Sequence, residues 1–338
     1  MIEYKLVSID IAKNVFQVCG FSDFNKVAFN QRIHRTKVLD KLRKIPPTAV
    51  VMEACYSSNY WGREIEKLGH TVKLIPPFRV KPFLIGNKND ANDAVAIGEA
   101  SLRPKSRFVS VKTLAQQDIQ TLLRVREQLQ KIRIMTSNQI HGFLSEYGIF
   151  CAKGHKSLMV TLAEALAPES NQLTVVAIEA IQIQSDYYRE LKAKEDEISK
   201  RLLLLCEGHP LYRYLKTIPG IGPLVAATLI SSVGDPRHFK NAREFSAWIG
   251  LTPLQFASGE TSRMGKISKR GDRHLRMMLI HGARSIINWV KHKEDKLSLW
   301  IKSLAKRMSP NKVNVAVANK LARIAWAVMN YQVEYHAK

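Results

Sequence analysis

Apolar positions in the first hundred residues fall in short runs broken by polar turns. Tyr4 to Ile9, Val15 to Cys19 and Lys26 to Gln31 read as three strands, and the short spacers containing Asn14 and Gly20 predict an antiparallel meander. Thr36 to Lys44 has helical spacing. Ala49 to Met52 is an apolar strand ending in Glu53. Tyr60 to Leu68 is helical and stops at Gly69, and Thr71 to Ile75 is a strand closed by Pro76 and Pro77. From Leu114 to about Gly148 the pattern predicts one long helix, and a second from about Asn171 to Cys206. In the second, Ile181, Tyr188, Leu191, Ile198, Leu202 and Leu205 fall on heptad a and d positions, with Gln184 and Glu195 interrupting the seam. Helices follow at Leu224 to Ser232, about Asp272 to Trp289, and Asn311 to Met329, the last begun by Ser309-Pro310. Trp248 is spaced like a core aromatic. Ser258 to Gly271 holds three glycines and four cations with no long apolar run, and reads as a basic loop.

Three antiparallel strands followed by two strand–helix crossovers is the order of a ribonuclease-H-like α/β fold. Periodicity supplies the elements, not the fold. The expected organisation is three parts: 1-112, an α/β domain; 113-210, a long-helix or coiled-coil connector; and 211-338, a mostly α carboxy-terminal domain.

Charge sharpens the picture. The 338 residues carry 52 Lys/Arg against 29 Asp/Glu, a net charge of +23. A surplus of this size points to a polyanionic partner, and nucleic acid is the usual one. The surplus is uneven: 17 cations against 4 acids in Thr261 to Lys338, 15 against 10 in Met1 to Ala100. Arg124, Arg126, Lys131 and Arg133 add a basic stretch on the first long helix. Cys19, Cys55, Cys151 and Cys206 form no CxxC pair, so neither a zinc ribbon nor a disulfide framework is expected. The start lacks a signal peptide's regions, and no apolar run reaches the roughly 18 residues of a membrane span, so a cytoplasmic protein is expected.

Four acids stand out. Asp10 and Glu53 each end an apolar strand, and in a ribonuclease-H-like order those strands are neighbours. Asp90 and Asp93 share one face of a helix start. Each acid alone reads as a solvated strand end or a helix-dipole partner. Together they can hold one or two Mg²⁺ ions, which orient a phosphodiester and neutralise charge on its oxygens. Ile218 to Ala226 resembles a helix-hairpin-helix turn, with Gly220 and Gly222 allowing backbone N–H groups to approach a phosphate; a simple tight turn is the alternative. His274 and His281 lie on one helical face and read as structural or phosphate-facing.

The segments Ser8-Ile9-Asp10-Ile11-Ala12-Lys13, Val51-Met52-Glu53-Ala54 and Lys88-Asn89-Asp90-Ala91-Asn92-Asp93-Ala94 resemble the amino-terminal domain of the insertion-sequence family 110 transposases. These are bridge-RNA-guided DEDD recombinases whose first domain is like the RuvC resolvase. Pro219-Gly220-Ile221-Gly222, Gly234-Asp235-Pro236, Gly250-Leu251-Thr252-Pro253 and Ser258-Gly259 through Lys269-Arg270-Gly271 resemble the second domain of that family, in the same order.

The resemblance implies that Asp10, Glu53, Asp90 and Asp93 bind Mg²⁺. It also implies that Ser258 attacks a DNA phosphate to form a transient phosphoserine. Arg263, Lys266, Lys269, Arg270 and Arg273 would contact phosphates. One departure is Glu260, where the family more often has a small residue; Ser262 and Ser268 are alternative nucleophiles. Partners implied are donor and target DNA, a non-coding guide RNA, and further copies of the chain in a dimer or tetramer. Two other readings compete: a structure-specific nuclease using the acids and water, and a non-enzymatic nucleic-acid-binding protein.

Overall fold

The computed structural model of the chain describes residues 4–336 except 24, 88, 105, 169 and 171. Lys88 of the acidic motif and Asn171, the expected start of the second long helix, therefore lie outside the described residues. Two compact units are present, 1–117 with 233–235, and 118–232 with 236–338.

The first unit is built on strands β1 (Leu6–Asp10), β2 (Val15–Phe21), β3 (Val27–His34), β4 (Ala49–Glu53) and β5 (Thr71–Ile75). Their order is β3-β2-β1-β4-β5. β1, β2 and β3 pair antiparallel, while β4 pairs parallel with β1 and with β5. This is the expected ribonuclease-H-like order, with the first and fourth strands adjacent. Helices α1 (Val38–Arg43), α2 (Ser58–Glu66), α3 (Pro77–Val80) and α4 (Asp90–Leu102) complete the unit. Both sheet faces are covered, which explains why β1 and β4 are nearly continuous apolar runs. Val7, Ile9, Val50 and Met52 pack with Val38, Leu42, Trp61 and Ile65 from α1 and α2. Leu6, Cys19, Phe21 and Val51 pack with Ala94, Ile97 and Ala100 from α4. Burying each large aliphatic side chain is worth about 1.5–3 kcal/mol, so the strand ends sit on a stiff platform.

The second unit takes in most of α5 (Leu114–Glu146), then α6 (His155–Ala165), α7 (Val175–Glu207), α8 (Pro210–Lys216), α9 (Pro223–Ser232) and α10 (Ala242–Ile249). The hairpin β6 (Pro253–Ser258) and β7 (Thr261–Ile267) follows, then α11 (Arg273–Trp289), α12 (Lys296–Ala305) and α13 (Pro310–Tyr331). Leu275, Leu279 and Ala283 of α11 are buried, as are Val317, Leu321 and Ala325 of α13, and these two helices pack together. Trp248 stacks on Phe245 and touches Phe239, at the rim of this core.

Several expectations change here. Ser258 to Gly271 is not a loop throughout, because half of it, Thr261–Ile267, is one arm of an exposed two-stranded hairpin. Glu195 does not merely interrupt a seam: it is 4% exposed. Its carboxylate accepts from Arg126 Nη2 at 2.8 Å and Arg133 Nε at 2.7 Å. Leu205 is exposed and Cys206 is buried in its place. Of the other two cations in the basic stretch, Lys131 pairs with Glu127 at 2.9 Å and Arg124 with Glu127 at 3.6 Å. Arg126 and Arg133 therefore serve a buried pair, while Arg124 and Lys131 stay exposed on the helix surface beside Glu127. His274 also faces Glu127, at 3.2 Å, and burial holds its imidazole below its ordinary pKa.

Candidate active site

Each acid is positioned by backbone that the sequence dictates. Asp10 and Glu53 are the last residues of parallel neighbours β1 and β4. Ile9 stands opposite Met52, so the following residues, Asp10 and Glu53, reach the same edge of the sheet. Both are half-buried. Asp90 opens α4 and is exposed; Asp93, one turn on, is half-buried. Asn89 caps that helix, accepting from Asn92 N–H at 2.8 Å.

Two side chains tie the first turns of α4 to the sheet. Ser8, buried two residues before Asp10, donates its hydroxyl to the Ala94 carbonyl at 2.6 Å. Asn30 on β3 donates to the Ala91 carbonyl at 3.0 Å and accepts from Gln17 Nε2 at 2.6 Å. Gly98 lets α4 come down onto Phe21, since a Cβ there would collide with the ring.

The electrostatics are those of acids crowded together. Burial, then the charges of Asp93, Asp90 and Glu53, push the Asp10 carboxyl up to about 6. Asp93 Oδ1 is buried and has no hydrogen-bond partner among the described residues. An unsatisfied buried acceptor and mutual repulsion are both costly. A hard cation relieves both, and four carboxylates without histidine or thiolate are the donor set of Mg²⁺ rather than zinc. Among the described residues no three such side chains converge closely enough to chelate an ion as they stand. Cys55 was not anticipated here. Burial, then Glu53 and Asp10, push its thiol up to about 11, so it stays protonated beside the acids. Ser57 lies in the left-handed region at φ 62°, a strained turn directly after Glu53 and Cys55.

The candidate nucleophile lies in the second unit, not on the sheet that carries the acids. Ser258 ends β6 and pairs with Thr261 across the Gly259-Glu260 turn, where Gly259 supplies φ 55°. A two-residue hairpin turn favours glycine in that first place. Paired residues share a face, so Ser258, Thr261, Phe256 and Arg263 line one side of the ribbon. Ser262 pairs with Ala257 on the opposite side, where it accepts from Gln255 Nε2 at 3.3 Å. Ser268 lies beyond the hairpin, its N–H donating to Thr252 O at 2.8 Å. Arg263, Lys266, Lys269, Arg270 and Arg273 are all exposed. Lys269 and Arg270 sit on backbone held against Gly250, whose φ of 80° and close approach to the Arg270 backbone leave no room for a Cβ. Gly220, at φ 77°, packs against Gly282 and Ile286 of α11, whereas Gly222 is exposed with open space around it.

Two family models match separate stretches of the chain. A family model described as a transposase, of the DEDD type found in the IS110 group, matches residues 7–149 and so spans all four acids. A second, described as the transposase IS116/IS110/IS902 family, matches residues 212–297 and spans the hairpin. The transposase for insertion sequence element IS1111A of Coxiella burnetii is 40% identical over 338 residues, covering 99% of this chain and 92% of that protein. The chain belongs to the IS110 family of transposases. A probable family 20 transposase of Pseudomonas aeruginosa is 40% identical over 330 residues, 97% of this chain and 98% of that protein. The transposase for insertion sequence element IS1328 of Yersinia enterocolitica is 36% identical over 323 residues, 96% of each. The amino-terminal unit of this transposase is thus a RuvC-like DEDD domain. No helix among the described residues is long and apolar enough to cross a membrane.

Proposed function

We propose that this transposase is an RNA-guided, site-specific DNA recombinase that cuts strands with Mg²⁺ at Asp10, Glu53, Asp90 and Asp93 and exchanges them through a phosphoserine at Ser258. The observation that carries the reading is that half-buried Asp10, at the end of β1 beside Glu53, has its pKa raised by burial and by repulsion from Asp93, Asp90 and Glu53. Mg²⁺, when held there, would polarise the phosphoryl oxygens. The residues supply the rest. Ser258 Oγ attacks phosphorus, forming a serine–phosphate ester as one DNA oxygen leaves with a proton; the serine proton passes to solvent. The incoming strand's hydroxyl then attacks the same phosphorus and regenerates the serine. One phosphodiester is lost and one gained, so no ATP is needed. Arg263, on the serine's side of the ribbon, and Lys266, Lys269, Arg270 and Arg273 are read as phosphate contacts, as are the backbone N–H groups around Gly220 and Gly222.

Guidance by RNA is the finer part of the reading. It is supported by the charge of +23 and by the absence of a zinc-ligand pattern from the sequence, which leaves sequence choice to base pairing. The internal pairing of Arg126 and Arg133 moves that support from α5 toward the carboxy-terminal surplus. We also read 1-112, 113-210 and 211-338 as RuvC-like domain, connector and transposase domain, and the working unit as a dimer or tetramer holding donor and target DNA.

The acids alone would also suit a water-using nuclease. Strand cleavage of a donor plasmid, with and without EDTA, tests the metal. Cleavage that needs Mg²⁺ and is lost in Asp10→Asn is expected; cleavage indifferent to EDTA would overturn the proposal.

A further inference from the structure

A pocket of about 170 Å³ opens in the second unit between the Pro219-Gly220 turn, the end of α11 and the start of α12. Its floor is apolar: Ile286, Val290 and Leu297 are each less than 10% exposed. Trp289 stands at its rim with 68% of its surface in solvent. Lys293 also lines it, and Lys291 and Lys296 are exposed nearby in sequence. The adjacent Glu294 is matched by Lys302 at 2.6 Å, so the cations are not cancelled locally. One carboxylate lines the pocket. Asp295 caps α12, accepting from Ser298 Oγ at 2.6 Å and from the N–H groups of Leu297 and Ser298 at 3.1 Å. Those bonds hold its pKa low, so the pocket wall carries an ionised carboxylate.

We propose that this pocket receives an unpaired nucleobase of a DNA strand, with Trp289 as the stacking platform. The exposed indole offers a flat apolar face beside an apolar pocket. A flat base fits that face, and the exposed Lys291 and Lys293, which follow Trp289 in sequence, supply cations for the adjoining phosphates. Asp295 accepts from an exocyclic amino group, as carboxylates accept from cytosine N4. A protein partner is disfavoured by the density of cations around the rim. The inference rests on the DNA-acting reading of the family, but not on the acids or the serine: the pocket is a holding site for strands opened during exchange.

The test is binding of a 12-mer single-stranded DNA to the full chain, by fluorescence anisotropy at fixed salt and without Mg²⁺. Trp289→Ala is expected to bind about 5- to 100-fold more weakly, the range that base–aromatic stacking commands, while Trp289→Phe keeps most of the affinity. A 12-bp duplex, and a 12-mer of abasic sites, should bind both variants and the unaltered protein alike. The same 12-mer as RNA reports whether the pocket takes either sugar; tighter binding of RNA than DNA would overturn the assignment to DNA. Unchanged single-strand binding by Trp289→Ala, or an equal loss for duplex and abasic strands, would overturn the pocket itself. A failure of Mg²⁺- or serine-dependent cleavage would leave these binding results standing, so the two readings fail separately.

Discussion

The hydroxyl of Ser8 donates to the carbonyl of Ala94 at 2.6 Å, across 86 residues of sequence. Ser8 sits two residues before Asp10 on β1, and Ala94 follows Asp93 on α4. The bond fixes the helix that carries two of the acids to the strand that carries a third. A small polar residue inside an apolar strand thereby sets the spacing of the candidate metal site. Ser8→Ala removes the donor, while the Ala94 carbonyl keeps its place in the hydrogen-bond ladder of α4, so the cost is that of one lost bond, about 0.5–1.5 kcal/mol. We expect a modest fall in stability with a larger fall in cleavage at limiting Mg²⁺ than at saturating Mg²⁺. Equal effects at both concentrations would confine Ser8 to the fold.

Asp10→Asn separates stability from activity. It removes the buried charge that Asp93, Asp90 and Glu53 repel. Without metal the variant should unfold at higher urea than the unaltered protein, by about 1–2 kcal/mol at neutral pH. Cleavage should fall by about 10²-fold or more, since metal-held charge stabilisation is worth several kcal/mol. Mg²⁺ should raise the melting temperature of the unaltered protein and not of this variant. Equal Mg²⁺ stabilisation of both would place the ion elsewhere.

Glu195 offers a test in the helical part. Its side chain is 6% exposed and those of Arg126 and Arg133 are 18% exposed. Truncation to alanine strands two guanidiniums, and breaking such a pair costs about 3–5 kcal/mol. The urea midpoint of Glu195→Ala should fall accordingly, with Glu195→Gln falling less. If Arg126 and Arg133 instead serve RNA, Glu195→Ala would tighten RNA binding at little cost in stability.

Gly220 and Gly222 separate packing from contact. A Cβ on Gly220 would lie 2.5 Å from the Gly282 carbonyl oxygen, and one on Gly282 would meet that of Gly220. Gly282→Ala should therefore destabilise the second unit by about 1–3 kcal/mol. Gly222→Ala meets nothing within 4 Å and should fold normally. A selective loss of duplex binding by Gly222→Ala is expected if its backbone approaches a phosphate. Unaltered binding would make the turn purely structural.

Much of this was legible in the sequence because burial leaves a pattern. β1 and β4, with the edge positions of Asp10 and Glu53, follow from apolar runs that stop at an acid. The hairpin was not legible because its residues are mostly exposed on both sides, Phe256 and Met264 included, so no alternation of buried and open positions marks it. Arg126 and Arg133 read as free cations because their partner, Glu195, is more than sixty residues away on another helix. Ser8 and Asn30 carry no signal beyond being polar in strands.

The claim of RNA guidance has its own check. Changing the target-pairing bases of the proposed guide RNA, with the protein untouched, should move the insertion site accordingly. An insertion site that stays put would mean that the protein reads DNA directly.

The central claim is that strand exchange passes through a serine linked to DNA. The most direct measurement is to trap the Mg²⁺-dependent reaction with labelled donor DNA, digest the protein, and sequence the DNA-linked peptide. The account predicts a phosphodiester on Ser258, absent from Ser258→Ala and from Asp10→Asn. A link at Ser262 or Ser268 would move the nucleophile along the same basic segment. Full strand transfer by Ser258→Ala with no covalent complex would contradict the account and leave water as the nucleophile.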